Sequence, residues 1–372
     1  MTDVNLWVHS AIPSSHIRRH DAGMRRQRAA LVLLGLAVAV GIAFVTCLQF
    51  GAEPIKLVRT MRALGEAVFP GGAIDRMTDT DTFIVVHLRV PRLLLALCVG
   101  GILSLVGACL QGLLRNPLAD PYVLGISSGA TLGATLALTV GTVSAALGGI
   151  GVTVCALVGG LVVMIVLYRL SSSDGRLPLP TVLLLGVVIN AILSAMAMFV
   201  TSVLSPEHLA RVLSWLMGSL AAVDSWRLAL TAVALLVGMG ITMHHARHLN
   251  GLLVGDETAQ SIGIPVEGVK RTLFLTCATL TGVAVAVSGM VGFVGMVVPH
   301  ALRLLIGSDH RLLLPAVVLA GGGFLMCADT LARTMLAPSE LPVGVVTALL
   351  GGPLFVHILL THRHRETIGS RT

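Results

Sequence analysis

The chain has 372 residues, of which 55% are hydrophobic and only 12% charged, and its mean hydropathy is +0.92. No water-soluble core of this size could hide so much apolar surface, which excludes a soluble globular protein and points to a polytopic membrane protein. The net charge of +7 sits largely on arginines in the polar segments between apolar runs, so it reads as membrane anchoring and not as nucleic-acid binding.

The apolar runs are continuous and near helix-spanning length, whereas barrel strands would be shorter and alternating. In chain order they cover residues 31–50, 93–114, 123–140, 150–168, 182–203, 228–243, 272–288, 291–305, 312–332 and 343–360, with a tight turn at 288–292. The expectation is an all-α polytopic fold of about ten transmembrane helices. A membrane domain at 31–360 would then be flanked by a basic N-terminal tail at 1–30 and a short tail at 361–372.

Arg18, Arg19, Arg25, Arg26 and Arg28 precede the first run, which places the N-terminus in the cytoplasm by the positive-inside rule. Even parity puts the C-terminus there too. Arg115, Arg169, Arg176, Arg247, Lys270, Arg271, Arg303, Arg311, Arg363, Arg365 and Arg371 then fall on the same side. The tail is polar and reads as poorly ordered. The first run starts late, at Leu31, is long, and lacks a small-residue cleavage pattern at its exit, so it is expected to be a retained span.

Arg89 and Arg92 straddle Pro91 ahead of the second run, and Pro91 suits the first turn of a helix, where its missing N–H would be unpaired anyway. Asn116-Pro117 and Asp120-Pro121 end that run and delay the next. Arg333, after the ninth run, joins Arg89 and Arg92 as an exception to the inside-positive pattern. Two readings stand for these three: snorkelling to headgroups, helped for Arg333 by Asp329 at i, i+4, or an outward surface for an acidic partner.

Cys47, Cys98, Cys109, Cys155, Cys277 and Cys327 all lie in apolar runs without a C-x-x-C pair, and they read as small hydrophobes. His244, His245 and His248, with His362 and His364 in the basic tail, read as a solvated or headgroup-facing set and not as a metal site. The stretch 244–271 is the longest inner segment. Asp256-Glu257 opens a helix-like run there that Gly263 and Pro265 close, giving one or two short interfacial helices, either a passive connector or a lever gripped by a cytosolic protein.

Glycine pairs such as Gly100-Gly101 and Gly321-Gly322 suit close helix packing in lipid. The only lysines are Lys56 and Lys270, each preceded by an aliphatic residue, so no Gly-Lys-Ser/Thr phosphate loop exists and this chain is not itself the P-loop ATPase. An ion-coupled secondary transporter is the rival reading. It would want ionisable groups near mid-membrane, where Asn190 and, nearer an outer end, Asp329 are the best polar candidates.

Several motifs occur in order along the chain: Arg89-Val90-Pro91-Arg92; Gln111-Gly112 followed by Arg115-Asn116-Pro117-Leu118-Ala119-Asp120-Pro121; Gly125-Ile126-Ser127-Ser128-Gly129-Ala130; Trp215-Leu216-Met217-Gly218; Gly292-Phe293-Val294-Gly295 with Val298-Pro299-His300; and Glu340-Leu341-Pro342-Val343-Gly344. Together they resemble the FecCD-type permeases, the membrane subunits of binding-protein-dependent ABC importers for iron-siderophores, haem and cobalamin. The resemblance runs from about the first span to the last.

It implies a permease of the cell inner membrane with no catalytic site and no cofactor of its own. ATP and Mg would sit on a cytoplasmic ABC ATPase dimer, and a periplasmic or extracellular substrate-binding protein would deliver an iron chelate, siderophore or haem, with a corrinoid as the alternative. A second copy of the chain would complete the channel. The same resemblance assigns Arg89, Arg92 and Arg333 to docking of the binding protein, and a coupling loop at about 249–269, with Leu249, Gly251, Gly255, Asp256, Glu257, Ala259 and Gly263, to the ATPase. Pro180 and Thr181 are implied near an inner gate, Asn190, Met196 and Met198 along the pathway, and Arg211 and Trp215 at its outer mouth.

Overall fold

Among the described residues, seven helices are long and apolar enough to cross a membrane: Gln27–Gln49, Thr80–Leu114, Gly151–Ser171, Leu179–Ser202, Ser225–His244, Val266–Ser288 and His310–Ala332. Two more apolar helices, Ile126–Thr139 and Val294–Ile306, are shorter, and a further helix carries an apolar stretch at Val343–His357. The computed structural model describes residues 15–51, 53–68, 79–140, 150–172, 177–221 and 223–369; among them all regular structure is helical. Residues 1–14 and 370–372 of the two tails, and Arg176, lie outside the described residues.

The helices are α1 (Ser15–Gln49), α2 (Leu57–Val68), α3 (Asp79–Phe83), α4 (Val90–Leu114), α5 (Ile126–Thr139), α6 (Gly151–Ser171), α7 (Leu179–Ser202) and α8 (Pro206–Leu216). They continue as α9 (Ser225–His244), α10 (Ala246–Leu252), α11 (Asp256–Ser261), α12 (Val266–Ser288), α13 (Val294–Ile306), α14 (His310–Ala332) and α15 (Val343–Gly369). The tail expected to be unordered is helical from Ser15 and runs straight into the first span.

The second span starts earlier than its apolar run, because Pro91 does not begin the helix. Proline has no N–H for the carbonyl one turn back and its ring crowds that carbonyl. The backbone widens instead into a π-turn at Ile84–Arg89, where the Val90 N–H bonds Val85 O, and helix continues on both sides.

Buried almost throughout, α4 forms the centre of the bundle and lies against α14, α13, α9 and α12. It can approach α14 so closely because Gly100 and Gly321 face each other. A Cβ on Gly100 would lie 2.3 Å from Gly321 O, and one on Gly321 would lie 2.6 Å from Gly100 O. Gly100→Val is expected to destabilise the folded chain by about 1–3 kcal/mol or more through overpacking, read as a lower midpoint of thermal unfolding in detergent; an unchanged midpoint would deny the contact.

Two of the shorter helices, α5 and α13, depart from the expected spans for a local reason. The chain after α4 turns at Arg115, which is left-handed at φ 49, and then runs back into the bundle. There Asp120 accepts the Tyr122 N–H at 2.8 Å, and the Tyr122 hydroxyl accepts the Val291 N–H at 2.7 Å. The Pro121 ring lies beside Gly295, which in turn backs onto Gly107 of α4. Both α5 and α13 therefore start inside the bundle instead of at its surface.

Candidate functional site

Two polar sites form at opposite ends of α4 and α14. At the first end, Arg89, Arg92 and Arg333 come together as the sequence suggests, with Glu53, His87 and Glu340 around a cavity of about 410 Å³. Their surroundings differ from the outward-facing charges expected. Arg89 is 5% exposed and donates to Leu48 O at 2.7 Å and Glu53 O at 2.5 Å, while Arg333 is 6% exposed and donates to Cys47 O and Thr330 Oγ1, both at 3.2 Å.

Asp329 also answers differently from the simple i, i+4 expectation. Its fully buried carboxylate lies 3.8 Å from Arg333 Nε but is gripped by two nitrogens of Arg92, with Nε to Oδ2 and Nη2 to Oδ1 both at 2.9 Å. The remaining Arg92 nitrogen, Nη1, reaches Glu340 Oε2 at 2.9 Å, and the Glu340 side chain is 46% exposed. Burial lowers the pKa of Arg333 from its usual value, an effect that Asp329 opposes and Arg92 reinforces. Sequence spacing could not place Arg92 on Asp329, because the pair is formed across two helices.

At the other end the expected inner segment forms two short helices, α10 and α11, and Gly263, at φ 85, ends the second just ahead of Pro265. Leu249 and Ala259, two of the residues that the resemblance implies in the coupling segment, are fully buried and fasten these helices to the bundle. Gly251 backs onto Ile264, Gly255 (φ 127) makes the turn between the helices, and Glu257 is exposed. Asp256 turns inward from α11, with Oδ1 2.8 Å from Arg115 Nη2 and Oδ2 2.5 Å from Lys270 Nζ.

The most exposed apolar groups here are Val254 and Ile262, which sequence reading missed because single aliphatic residues in a connector carry no periodic signal. It also missed the lock that holds α10 to α14. Asn250 Nδ2 donates to Asp309 Oδ1 at 2.7 Å, and Asn250 Oδ1 accepts the His310 N–H at 2.9 Å. Burial would raise the Asp309 pKa, but bonds from the Arg311 N–H and Asn250, with the neighbouring positive groups, hold it below the usual carboxylate range. Asp immediately before an apolar helix was the available signal, as an N-cap.

His244 meets His245 edge to face with ring centroids 5.0 Å apart, His245 lies tilted to His248 at 5.5 Å, and burial, then His245 and His244, push His248 below its ordinary pKa. Among the described residues no group of three His, Cys, Asp or Glu side chains could hold a metal ion.

The implied pathway residues are dispersed. Pro180 and Thr181 are exposed at the start of α7, a helix with only 11% of its central window buried. Asn190 is turned toward α5, where it accepts the Ser128 hydroxyl. Met196 and Met198 are both exposed and, two residues apart on a helix, point about 160° from each other, to different sides of α7. Arg211 and Trp215 share a second cavity of about 310 Å³ with Arg227 and Ser288, at the same end as Arg89.

Comparison with known proteins bears on what this two-ended bundle is. Residues 33–361 match the FecCD transport family. The hemin transport system permease protein of Yersinia pestis is 43% identical over 291 residues, 78% of this chain and 86% of that protein. The cobalamin import system permease protein of Halobacterium salinarum is 40% identical over 289 residues, 77% of this chain and 75% of that one. A solved chain described as the inward-facing conformation of a metal-chelate type ABC transporter superposes with a TM-score of 0.76 at 28% identity, covering 89% of this chain and 99% of the other. With ordered motifs, an all-helical bundle and a family match along nearly its whole length, the chain belongs to the FecCD transport family, as the membrane-spanning permease subunit of an ABC importer.

Proposed function

We propose that this permease imports an iron chelate, siderophore or haem, across the inner membrane, with a corrinoid as the second reading. The observation that carries the proposal is the pairing of an arginine-lined cavity at one end of α4 and α14 with exposed short helices at the other. Similarity to a haem permease and to a cobalamin permease, at 43% and 40% identity, supports a bulky metal-bearing ligand and favours the first reading only slightly.

In this reading ten helices cross or enter the membrane, both termini are cytoplasmic, and α10 and α11 meet an ABC ATPase dimer through Val254, Glu257 and Ile262. Arg115, Arg169, Arg247, Lys270, Arg271, Arg303 and Arg311 belong to the α11 end, which supports a cytoplasmic face there. A substrate-binding protein presents acidic side chains at the Arg89 end. Glu340 occupies the Arg92 position that such a side chain would take, while Arg89 and Arg333 shape the cavity. The sparsely covered α7, beginning at Pro180 and Thr181, packs on a second copy and borders the pathway, with Arg211 and Trp215 at the mouth.

The mechanism is alternating access. ATP and Mg bind the partner, closure of the ATPase dimer displaces α10 and α11, and the permease contributes shape and no chemistry. The test is import into vesicles that hold the assembled complex and ATP, using haemin and cyanocobalamin on the cognate binding protein. Import that persists when the proton gradient is collapsed and stops without ATP supports the proposal; the reverse pattern favours the ion-coupled rival.

A further inference from the structure

The sole described ion pairs of α11 run into the bundle, and they do not stop at Asp256. Lys270, near the start of α12, has a side chain only 7% exposed, and its ammonium lies between Asp256 Oδ2 at 2.5 Å and Glu267 Oε1 at 3.5 Å. Glu267 sits one turn before Lys270 on α12, and its other oxygen, Oε2, accepts the main-chain N–H of Leu177 at 2.8 Å. Leu177 is buried and immediately precedes Pro178, where α7 begins. At the far side, Arg115 closes the row on Asp256 from a left-handed backbone at φ 49, a conformation that is unfavourable for a non-glycine residue and persists where surrounding contacts hold it.

We propose that Arg115, Asp256, Lys270 and Glu267 form an ionic linkage that transmits displacement of α11 to the inner end of α7 through the Glu267–Leu177 bond, with Lys270 as its hub. This rests on the coupling role of α11 set out above. Three features make the linkage mechanical and not merely a surface network. Lys270 is buried, so loss of one carboxylate leaves its charge poorly solvated, and the pair moves as a unit. Glu267 and Lys270 share one rigid helix, so a pull on Lys270 is a pull on α12. The helix at the end of the row, α7, is a long span with little of its surface held by neighbours, so a main-chain bond just ahead of its first turn has leverage over it. Lys270 and Glu267 are positioning residues: neither need touch the solute.

The test separates grip from transmission. In vesicles holding the full complex, Glu267→Ala is expected to keep binding-protein-stimulated ATP hydrolysis within about twofold of the unsubstituted complex while import of the transported probe, haemin or cyanocobalamin, falls about tenfold, the scale of an ordinary coupling free energy. Glu267→Gln keeps an acceptor for the Leu177 N–H and is expected to restore most of the import. Lys270→Met cuts Asp256 from Glu267 and should give the same split as Glu267→Ala, which keeps the proposal testable if the alanine variant fails to assemble. Hydrolysis and import falling together, import unchanged in both variants, or a glutamine variant as poor as the alanine one would overturn it. Val254→Asp and Ile262→Asp, at the exposed tip and outside the linkage, test the underlying reading. If they leave hydrolysis and import intact, the coupling role of α11 fails; if they abolish stimulation while Glu267→Ala imports normally, the linkage alone fails.

Discussion

Replacing Asp329 by alanine is expected to destabilise the folded chain by about 3–5 kcal/mol, the usual cost of removing one member of a buried ion pair. The carboxylate is fully buried, holds Arg92 through two nitrogens and lies 3.8 Å from Arg333, so its loss leaves two guanidinium groups with much less compensation. The partner at Glu340 cannot replace it, being nearly half exposed and engaged with the third nitrogen. A double substitution, Arg92→Met with Asp329→Leu, should recover most of the loss, because an apolar pair of similar volume avoids the desolvation cost altogether. Thermal unfolding of the three variants in one detergent decides the matter. A single-variant loss under about 1 kcal/mol would mean that the pair behaves as an ordinary surface bridge.

Charge reversal at Arg89 should fail even earlier, at folding. A glutamate there would set a buried carboxylate against Leu48 O and Glu53 O, two acceptors that now share one guanidinium, and no donor on the side chain remains for either. The measurable expectation is loss of monodisperse protein, and normal yield and unfolding temperature would contradict it. The docking proposal must therefore be probed elsewhere on the rim. Glu340→Gln keeps the fold, weakens the internal hold on Arg92 Nη1, and should raise affinity for the binding protein by a few-fold, in the range of about 0.5–1 kcal/mol for an exposed pair. Reduced affinity in that variant would assign the acidic contact to Glu340 itself.

Hydropathy alone located the apolar helices because mean composition over 20 residues survives any detail of packing. What it could not see were events decided by one atom or by contacts across helices. Pro91 reads as a helix start, yet the π-turn before it lets helix run on, since the missing N–H matters less than the continuity of apolar packing on both sides. The runs ending in α5 and α13 look membrane-length in the sequence, but Tyr122 and Pro121 draw their leading residues inside the bundle, leaving shorter helices. The same limit applies to the sites. Arg89, Arg92 and Arg333 were legible as a group because charge at an apolar boundary is conspicuous, while their burial and their carbonyl partners depend on how α1 lies beside them. Leu249 and Ala259 were placed in the coupling segment by the family resemblance, and only the packed structure separates its fastening residues from the exposed Val254 and Ile262.

The facing glycines of α4 and α14 leave no side-chain cushion between two main chains, and the Arg92–Asp329 pair pins the same helices at one end. Helices seated carbonyl against Cα have no soft layer along which to slide, so these two form a stiff spine, and shear between them would require backbone to pass through backbone. Under the proposed alternating access, movement is then expected at the lightly held periphery, to which α7 belongs, and not between α4 and α14.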